Sequence, residues 1–281
     1  MENDKMKDIL SEIVSHKRIE VEQQKQAISP EMLQEQVLRL QEEAASTPRS
    51  MKQALAAAPL GIIAEFKRRS PSKGWIHREA QPEAIAPAYE AAGAAALSVL
   101  TDEAYFGGTL GDIRRIRPLV QLPILRKEFI IDPYQLLQAR AVGADAVLLI
   151  AACLTPEACS QLVEKAHEWQ LEVLLEIHSE EELRYTACGA DMMGVNNRHL
   201  GSFVTDVATS FQLASALRQA VPASAEAPLL VSESGLSQPE TLLKLQEAGY
   251  RGFLMGEAFM KHTHPGDALK QLLDSAGKEE L

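Results

Sequence analysis

Eight short apolar runs, each followed by polar residues and then a helical stretch, predict a closed (β/α)8 barrel of the TIM type for this 281-residue chain. The runs are Ile62–Phe66, Ala95–Leu100, Leu122–Leu125, Ala146–Ile150, Val173–Glu176, Met192–Val195, Leu229–Val231 and Gly252–Met255. They are continuous rather than alternating, as parallel strands covered on both faces require. Glycine punctuation is the second observation. Ala92-Gly93-Ala94, Val142-Gly143-Ala144, Cys188-Gly189-Ala190 and Ala248-Gly249-Tyr250 each precede a run, and a glycine there ends a helix and turns the chain into the next strand. The third observation is that no GxGxxG follows the first run, which removes the usual ligand of the competing doubly wound open sheet.

Ahead of the barrel the chain reads as a helical extension packed on it, residues 1–50, with the barrel itself at 51–281. Ile9, Leu10, Ile13, Val14 and Val21 fall at mostly helical spacing and predict one helix, with Lys17, Arg18 and Glu20 on its opposite side. A second helix is expected to start at Ser29-Pro30, an N-cap followed by proline in the first turn, with Leu33, Val37 and Leu40 as its stripe. Ala44 to Ser50, broken by Thr47-Pro48, reads as a linker.

Composition narrows the function classes. A hydrophobic content of 46%, with 5% aromatic residues, is ample for a core of packed helices and strands. A formal net charge of −11 argues against nucleic acid or a membrane surface as the partner. Cys153, Cys159 and Cys188 show no CxxC pattern and read as reduced thiols, neither a disulfide framework nor a metal site. The charged start Met1 to Lys7 leads into no apolar segment, and no run is long enough to span a bilayer, so a cytoplasmic protein is expected. A monomer and a homodimer are equally compatible with these features.

In this fold the active site is built at the C-terminal ends of the strands. Residues two apart on a strand share a face, so Glu65 and Lys67 are expected to point together into the barrel mouth, with Phe66 facing outward. The same parity places Lys127 with Leu125, Glu176 with Leu174, and Asn196 with Arg198, while Arg126 faces the helices. Charged groups at the ends of buried strands must be paired or functional, because an unpaired buried charge is costly. The endings Ser232-Glu233-Ser234-Gly235 and Met255-Gly256-Glu257 fall where barrels commonly bind phosphate through backbone N–H groups. Ser234, Gly235, Gly256 and Glu257 are therefore the phosphate candidates, with the Glu257 side chain expected to point away. The site as a whole suits a small anionic phosphate sugar.

The string Ile63 to Gly74 (IAEFKRRSPSKG) resembles the signature of the indole-3-glycerol phosphate synthase family. So do Ser98 to Gly108 (SVLTDEAYFGG), Leu125 to Phe129 (LRKEF), Gly194 to Leu200 (GVNNRHL) and Val231 to Leu236 (VSESGL). Glu128, Thr109 and His199 depart from the residues common in that family, at none of the expected catalytic positions. The resemblance implies cofactor-free closure of 1-(2-carboxyphenylamino)-1-deoxyribulose 5-phosphate to an indole, with loss of CO₂ and water, in tryptophan biosynthesis. It implies Lys127 as general acid on the carbonyl, Glu176 as proton-transfer partner, and Glu65 with Lys67 as a second charged pair. Asn196, Arg198 and Ser70 would orient the substrate, and Phe106 and Phe129 would wall its aromatic ring. A lysine acid working near neutral pH is expected to need a lowered pKa. Phosphoribosylanthranilate isomerase is the rival enzyme, but it is expected to carry a cysteine at the end of strand one, where this chain has Glu65 and Lys67. A non-catalytic phosphate-binding scaffold would predict eroded charges at the mouth, and the set is complete.

Overall fold

The computed structural model describes residues 2–42, 48–199, 204–220 and 227–279. Eight parallel strands close into one barrel: β1 (Gly61–Phe66), β2 (Ala96–Leu100), β3 (Ile124–Lys127), β4 (Ala146–Ile150), β5 (Glu172–Ile177), β6 (Met192–Asn196), β7 (Leu229–Glu233) and β8 (Tyr250–Met255). Each pairs with its sequence neighbour, and β1 pairs with β8 through Gly61↔Gly252 to Ala64↔Met255, which completes the ring. All eight expected strands are present.

The two faces of each strand bury into different cores. Ile63, Leu125, Leu148, Leu174, Met192, Val231 and Leu254 fill the barrel interior. Their neighbours, such as Ile62, Val99, Val147 and Phe253, pack outward under the helices. This double burial is why the runs lack polar alternation. The helical layer includes α4 (Pro82–Ala92), α6 (Leu110–Ile116), α7 (Pro133–Val142), α8 (Pro156–Glu168), α9 (Ala208–Ala220), α10 (Pro239–Glu247) and α12 (Pro265–Glu279), with short α5 (Glu103–Phe106) and α11 (Glu257–Met260) at the mouth. The link from β5 to β6 is a 3₁₀ helix, Glu180–Cys188. Gly93, Gly143, Gly189 and Gly249 all take positive φ, as the punctuation predicts.

The extension consists of α1 (Glu2–Ala27) and α2 (Pro30–Glu42), and the Met32 amide donates to Ser29 Oγ at the second helix's start. Val21, Leu33 and Val37 pack on Tyr134 and Leu137 of α7. Residues 44–47 of the expected linker, and Leu200 of the GVNNRHL segment, lie outside the described residues. The end of that linker is structural. Ser50 caps a further helix, α3 (Met51–Ala57), whose N-terminal amides at Met51 and Lys52 also donate to Glu172 at the start of β5. Met51 and Leu55 are fully buried in the barrel interior, so α3 stoppers the end opposite the strand C-termini. Among the described residues no helix is long and apolar enough to cross a membrane.

One expectation fails on α1. Lys17 does not face solvent: it is 1% exposed and held between three carboxylates. The spacing itself carries the reason, because Lys17 stands four residues after Ile13 and four before Val21, on the buried stripe rather than opposite it.

Candidate active site

The C-terminal strand ends surround a cavity of about 600 Å³, roofed on one side by Ile9, Leu10 and Ile13 of α1. At its floor lies one ionic cluster. Lys127 Nζ donates to Glu233 Oε2 at 2.9 Å and stands 3.4 Å from Glu65 Oε2. Lys67 Nζ pairs with the other oxygen of Glu65 at 2.5 Å. Glu65, Glu176 and Glu233 are nearly or fully buried, whereas the two lysines keep a narrow exposure toward the cavity. Two glycines make room for this charge. A Cβ on Gly256 would overlap Glu65 Oε1, and one on Gly194 would overlap Glu233 Oε1.

Lys127, Lys67, Glu65, Glu176, Asn196 and Arg198 all line the cavity, so strand parity places each of them where it is expected. Phe106 and Phe129 line it as a neighbouring pair, with ring centroids 6.2 Å apart and planes tilted by 40°. Ser234, Gly235, Gly256 and Glu257 line it as well, at the ends of β7 and β8. Ser234 and Gly235 both take positive φ. The Glu257 carboxylate turns to Lys73, which leaves the backbone of this corner unobstructed by its charge. Arg198 Nε finds no hydrogen-bond partner among the described residues although it is buried. Its backbone N–H donates to Asn196 Oδ1 at 3.0 Å, which fixes the turn that carries it.

Ser70 departs from expectation. It pairs with Gly74 in a two-residue hairpin ladder and is buried, and the loop reaches the cavity through Pro71, Ser72 and Lys73 instead. The dense positive charge of that loop is also partly structural. Arg68 grips Asp112 through two bonds of 2.8 and 3.0 Å and donates to the Ala80 and Gly107 carbonyls. Arg126 faces the helices, as parity predicts, and donates to Thr101 and the Gln135 carbonyl.

Two further side chains of the ionic cluster, Glu233 and His178, are absent from the sequence expectation. Glu233 stands two residues after Val231, so strand parity points it into the barrel with that residue, directly before the phosphate-like Ser234-Gly235. His178, 8% exposed at the end of β5, sits with Nε2 3.2 Å from Glu176 and Nδ1 3.6 Å from Glu182. His178 stands two residues after Glu176, so the parity that places Lys67 and Arg198 beyond their strand ends marks it as well.

Burial and pairing set the protonation states. Burial, the largest influence on Lys127, lowers its pKa, but Glu233, Glu65 and Glu176 together outweigh it and hold the ammonium above the ordinary lysine range. The expectation of a lowered pKa is thus overturned: three carboxylates surround this lysine and together outweigh its burial. Burial raises Glu233 above the usual carboxylate range despite Lys127, with Glu176 and Glu65 adding repulsion. Burial also opposes the charge of Glu65, yet Lys67 and Lys127 bring it down to about 2. Glu176 is lowered too, where His178 and Lys127 overcome burial, and His178 rises to about 9 because its carboxylate partners outweigh its own desolvation.

A stability prediction follows from Glu65. A carboxyl whose folded pKa lies below its unfolded value stabilises above the unfolded pKa and loses that contribution as pH falls through the folded one. The melting temperature is therefore expected to fall as pH drops from about 4.5 toward about 2. In Glu65→Gln the fall over that window should be shallower, as measured by scanning calorimetry; an unchanged slope would remove Glu65 as a contributor.

A family model described as indole-3-glycerol phosphate synthase matches residues 10–272. The indole-3-glycerol phosphate synthase of Bacteroides thetaiotaomicron is 62% identical over 268 residues, covering 95% of this chain and 98% of its own. That of Carboxydothermus hydrogenoformans is 40% identical over 273 residues, covering 94% and 99%. Among solved structures, a mutant tryptophan synthase alpha-subunit from Pyrococcus furiosus aligns with a TM-score of 0.59 at 13% identity, covering 78% of this chain and 98% of its own. A thiamine phosphate pyrophosphorylase from Pyrococcus furiosus aligns with a TM-score of 0.57 at 16% identity, covering 82% and 98%. Those two likenesses are of fold alone. The match along nearly the whole chain, at high identity, decides the matter: the chain belongs to the indole-3-glycerol phosphate synthase family.

Proposed function

We propose that this chain closes the indole ring of indole-3-glycerol phosphate, and that Lys127, held among Glu233, Glu65 and Glu176, is the proton donor that starts the reaction. The substrate, 1-(2-carboxyphenylamino)-1-deoxyribulose 5-phosphate, carries a phosphate, a carboxylate and an aromatic ring. Ser234, Gly235 and the backbone at Gly256 and Glu257 would take the phosphate at the β7 and β8 ends. Arg198, with Nε unpartnered, would take the carboxylate, oriented by Asn196. Phe106 and Phe129 would stack the ring, next to the apolar roof of α1.

The chemistry then needs proton movements only. The ring carbon bearing the carboxylate attacks the ribulose carbonyl carbon, and Lys127 gives its proton to the carbonyl oxygen as the new C–C bond forms. A raised lysine pKa suits that step, because the acid is fully protonated at neutral pH and the developing alkoxide is a far stronger base than a lysine amine. The product carries an iminium, which accepts the electron pair of the carboxyl C–C bond as CO₂ leaves. The new hydroxyl then departs as water with one proton, and Glu176 removes another from the carbon beside the nitrogen, which restores aromaticity. One substrate gives one indole-3-glycerol phosphate, one CO₂ and one water. Lys67 and Glu65 would complete the field at the carbonyl or the anionic ends.

Purified protein given this substrate is expected to develop indole fluorescence, and an isomerase assay run alongside is expected to stay silent. No fluorescence at high enzyme concentration would leave the scaffold reading ahead.

A further inference from the structure

Lys17 lies outside the strand-end cluster, and nothing in the proposed reaction uses it. Its ammonium stands 2.8 Å from Glu20 on its own helix, 2.8 Å from Asp102 in the loop after β2, and 3.1 Å from Glu128 just beyond β3. Burial opposes its charge, yet the carboxylates more than compensate and hold it protonated. Of these three contacts of Lys17, the last two tie α1 to the barrel mouth.

The other bonds of those two carboxylates lead to the cavity wall. Asp102 Oδ1 accepts from the Tyr105 amide at 2.7 Å and so starts α5, the turn that carries Phe106. Glu128 Oε1 accepts from the Phe129 amide at 2.9 Å, while Oε2 takes the Thr101 hydroxyl at 2.8 Å. One ammonium on α1 thus draws together the two loops whose aromatic rings pack as a tilted pair. The same helix lays Ile9, Leu10 and Ile13 along the cavity, one to two turns before Lys17. Beyond Lys17 its C-terminal half is fastened separately. Lys25 pairs with Asp132 at 2.7 Å, and Tyr134 donates to the Gln24 and Ile28 carbonyls. His16 also packs edge-on against Tyr105 of α5, with ring centroids 6.1 Å apart, so loss of Lys17 would loosen the roofing half of α1 without detaching the helix.

We infer that Lys17 is a positioning residue for the aromatic end of the substrate: bridging Asp102 and Glu128, it seats the first half of α1 over the cavity and sets the spacing of Phe106 and Phe129. The inference rests on the reading that these rings hold the anthranilate portion. Lys17 touches no reacting atom, so its removal should weaken binding more than chemistry. It would also leave Asp102 and Glu128 buried without their shared cation, a costly state that opens the two loops.

The test is Lys17→Met, which keeps the length and apolar body of the side chain and removes the charge. KM for the carboxyphenylamino substrate is expected to rise about ten-fold or more, with kcat within about three-fold of wild type. Glu20→Gln serves as the control, because Glu20 lies on α1 itself and its bonds run to Lys17 and Gln24 of the same helix; its KM is expected to stay within about two-fold. A Lys17→Met KM equal to wild type, or a fall in kcat alone, would overturn the inference. Wild-type enzyme that never turns over this substrate would instead overturn the functional reading beneath it. If Lys17→Met yields no folded protein, amide hydrogen exchange on the wild-type enzyme decides. Indole-3-glycerol phosphate should slow exchange at residues 9–17 and 102–106, and unchanged exchange there would contradict the seating of α1.

Discussion

Lys127→Ala is expected to lower kcat by about 10²–10⁴-fold while changing KM by no more than a few-fold. The lysine lies at the bottom of the cavity, where its single hydrogen bond in the described residues runs to Glu233 and its remaining donors face Glu65 and open space. With its ammonium gone, no other donor replaces it at that point, since Lys67 is committed to the opposite oxygen of Glu65. The phosphate corner and the aromatic wall are untouched, so binding should survive. Steady-state kinetics separate the two outcomes. Equal loss in kcat and in substrate affinity would take Lys127 out of the general-acid role. The variant also leaves three buried carboxylates without their shared cation, and its carboxyls are expected to take up protons in response. The activity loss should therefore be read at a pH where circular dichroism shows the variant folded.

Glu176→Gln is expected to lower kcat by about 10²–10³-fold and, more tellingly, to separate two products in time. Glu176 is placed to remove a proton during dehydration, after the carboxylate has left. Its carboxylate contacts His178 and faces Lys127, and glutamine would keep the shape while losing the base. Rapid quenching of the variant should therefore show CO₂ released ahead of indole. If both are slowed together from the first turnover, Glu176 acts at ring closure instead.

How far the fold and site can be read from sequence depends on the physical signal each part leaves. The strands are legible because burial on both faces writes continuous apolar runs, and the helix ends because Gly93, Gly143, Gly189 and Gly249 must adopt positive φ. Parity on short straight strands transfers that legibility to Glu65, Lys67, Lys127, Glu176 and Asn196. Charge and spacing conflict at Lys17: Ile13, Lys17 and Val21 form one stripe, and a lysine is tolerated in it only because Asp102 and Glu128 come from distant loops. Helix α3, at seven residues, is too short to show a period. Ser70 lies in an irregular loop where no alternation fixes which way a side chain points. The pKa of Lys127 depended on Glu233, and a residue's neighbours across a barrel are set by strand closure rather than by adjacency in the chain.

The most direct test of the account is a paired time course on the wild-type enzyme, following CO₂ release and indole fluorescence from the same substrate. The proposed sequence of ring closure, decarboxylation and dehydration predicts one CO₂ for each indole formed, with Lys127→Ala slowing both signals in parallel by about 10²–10⁴-fold. CO₂ release without indole in the wild type, or indole formation that persists in Lys127→Ala at the wild-type rate, would contradict it.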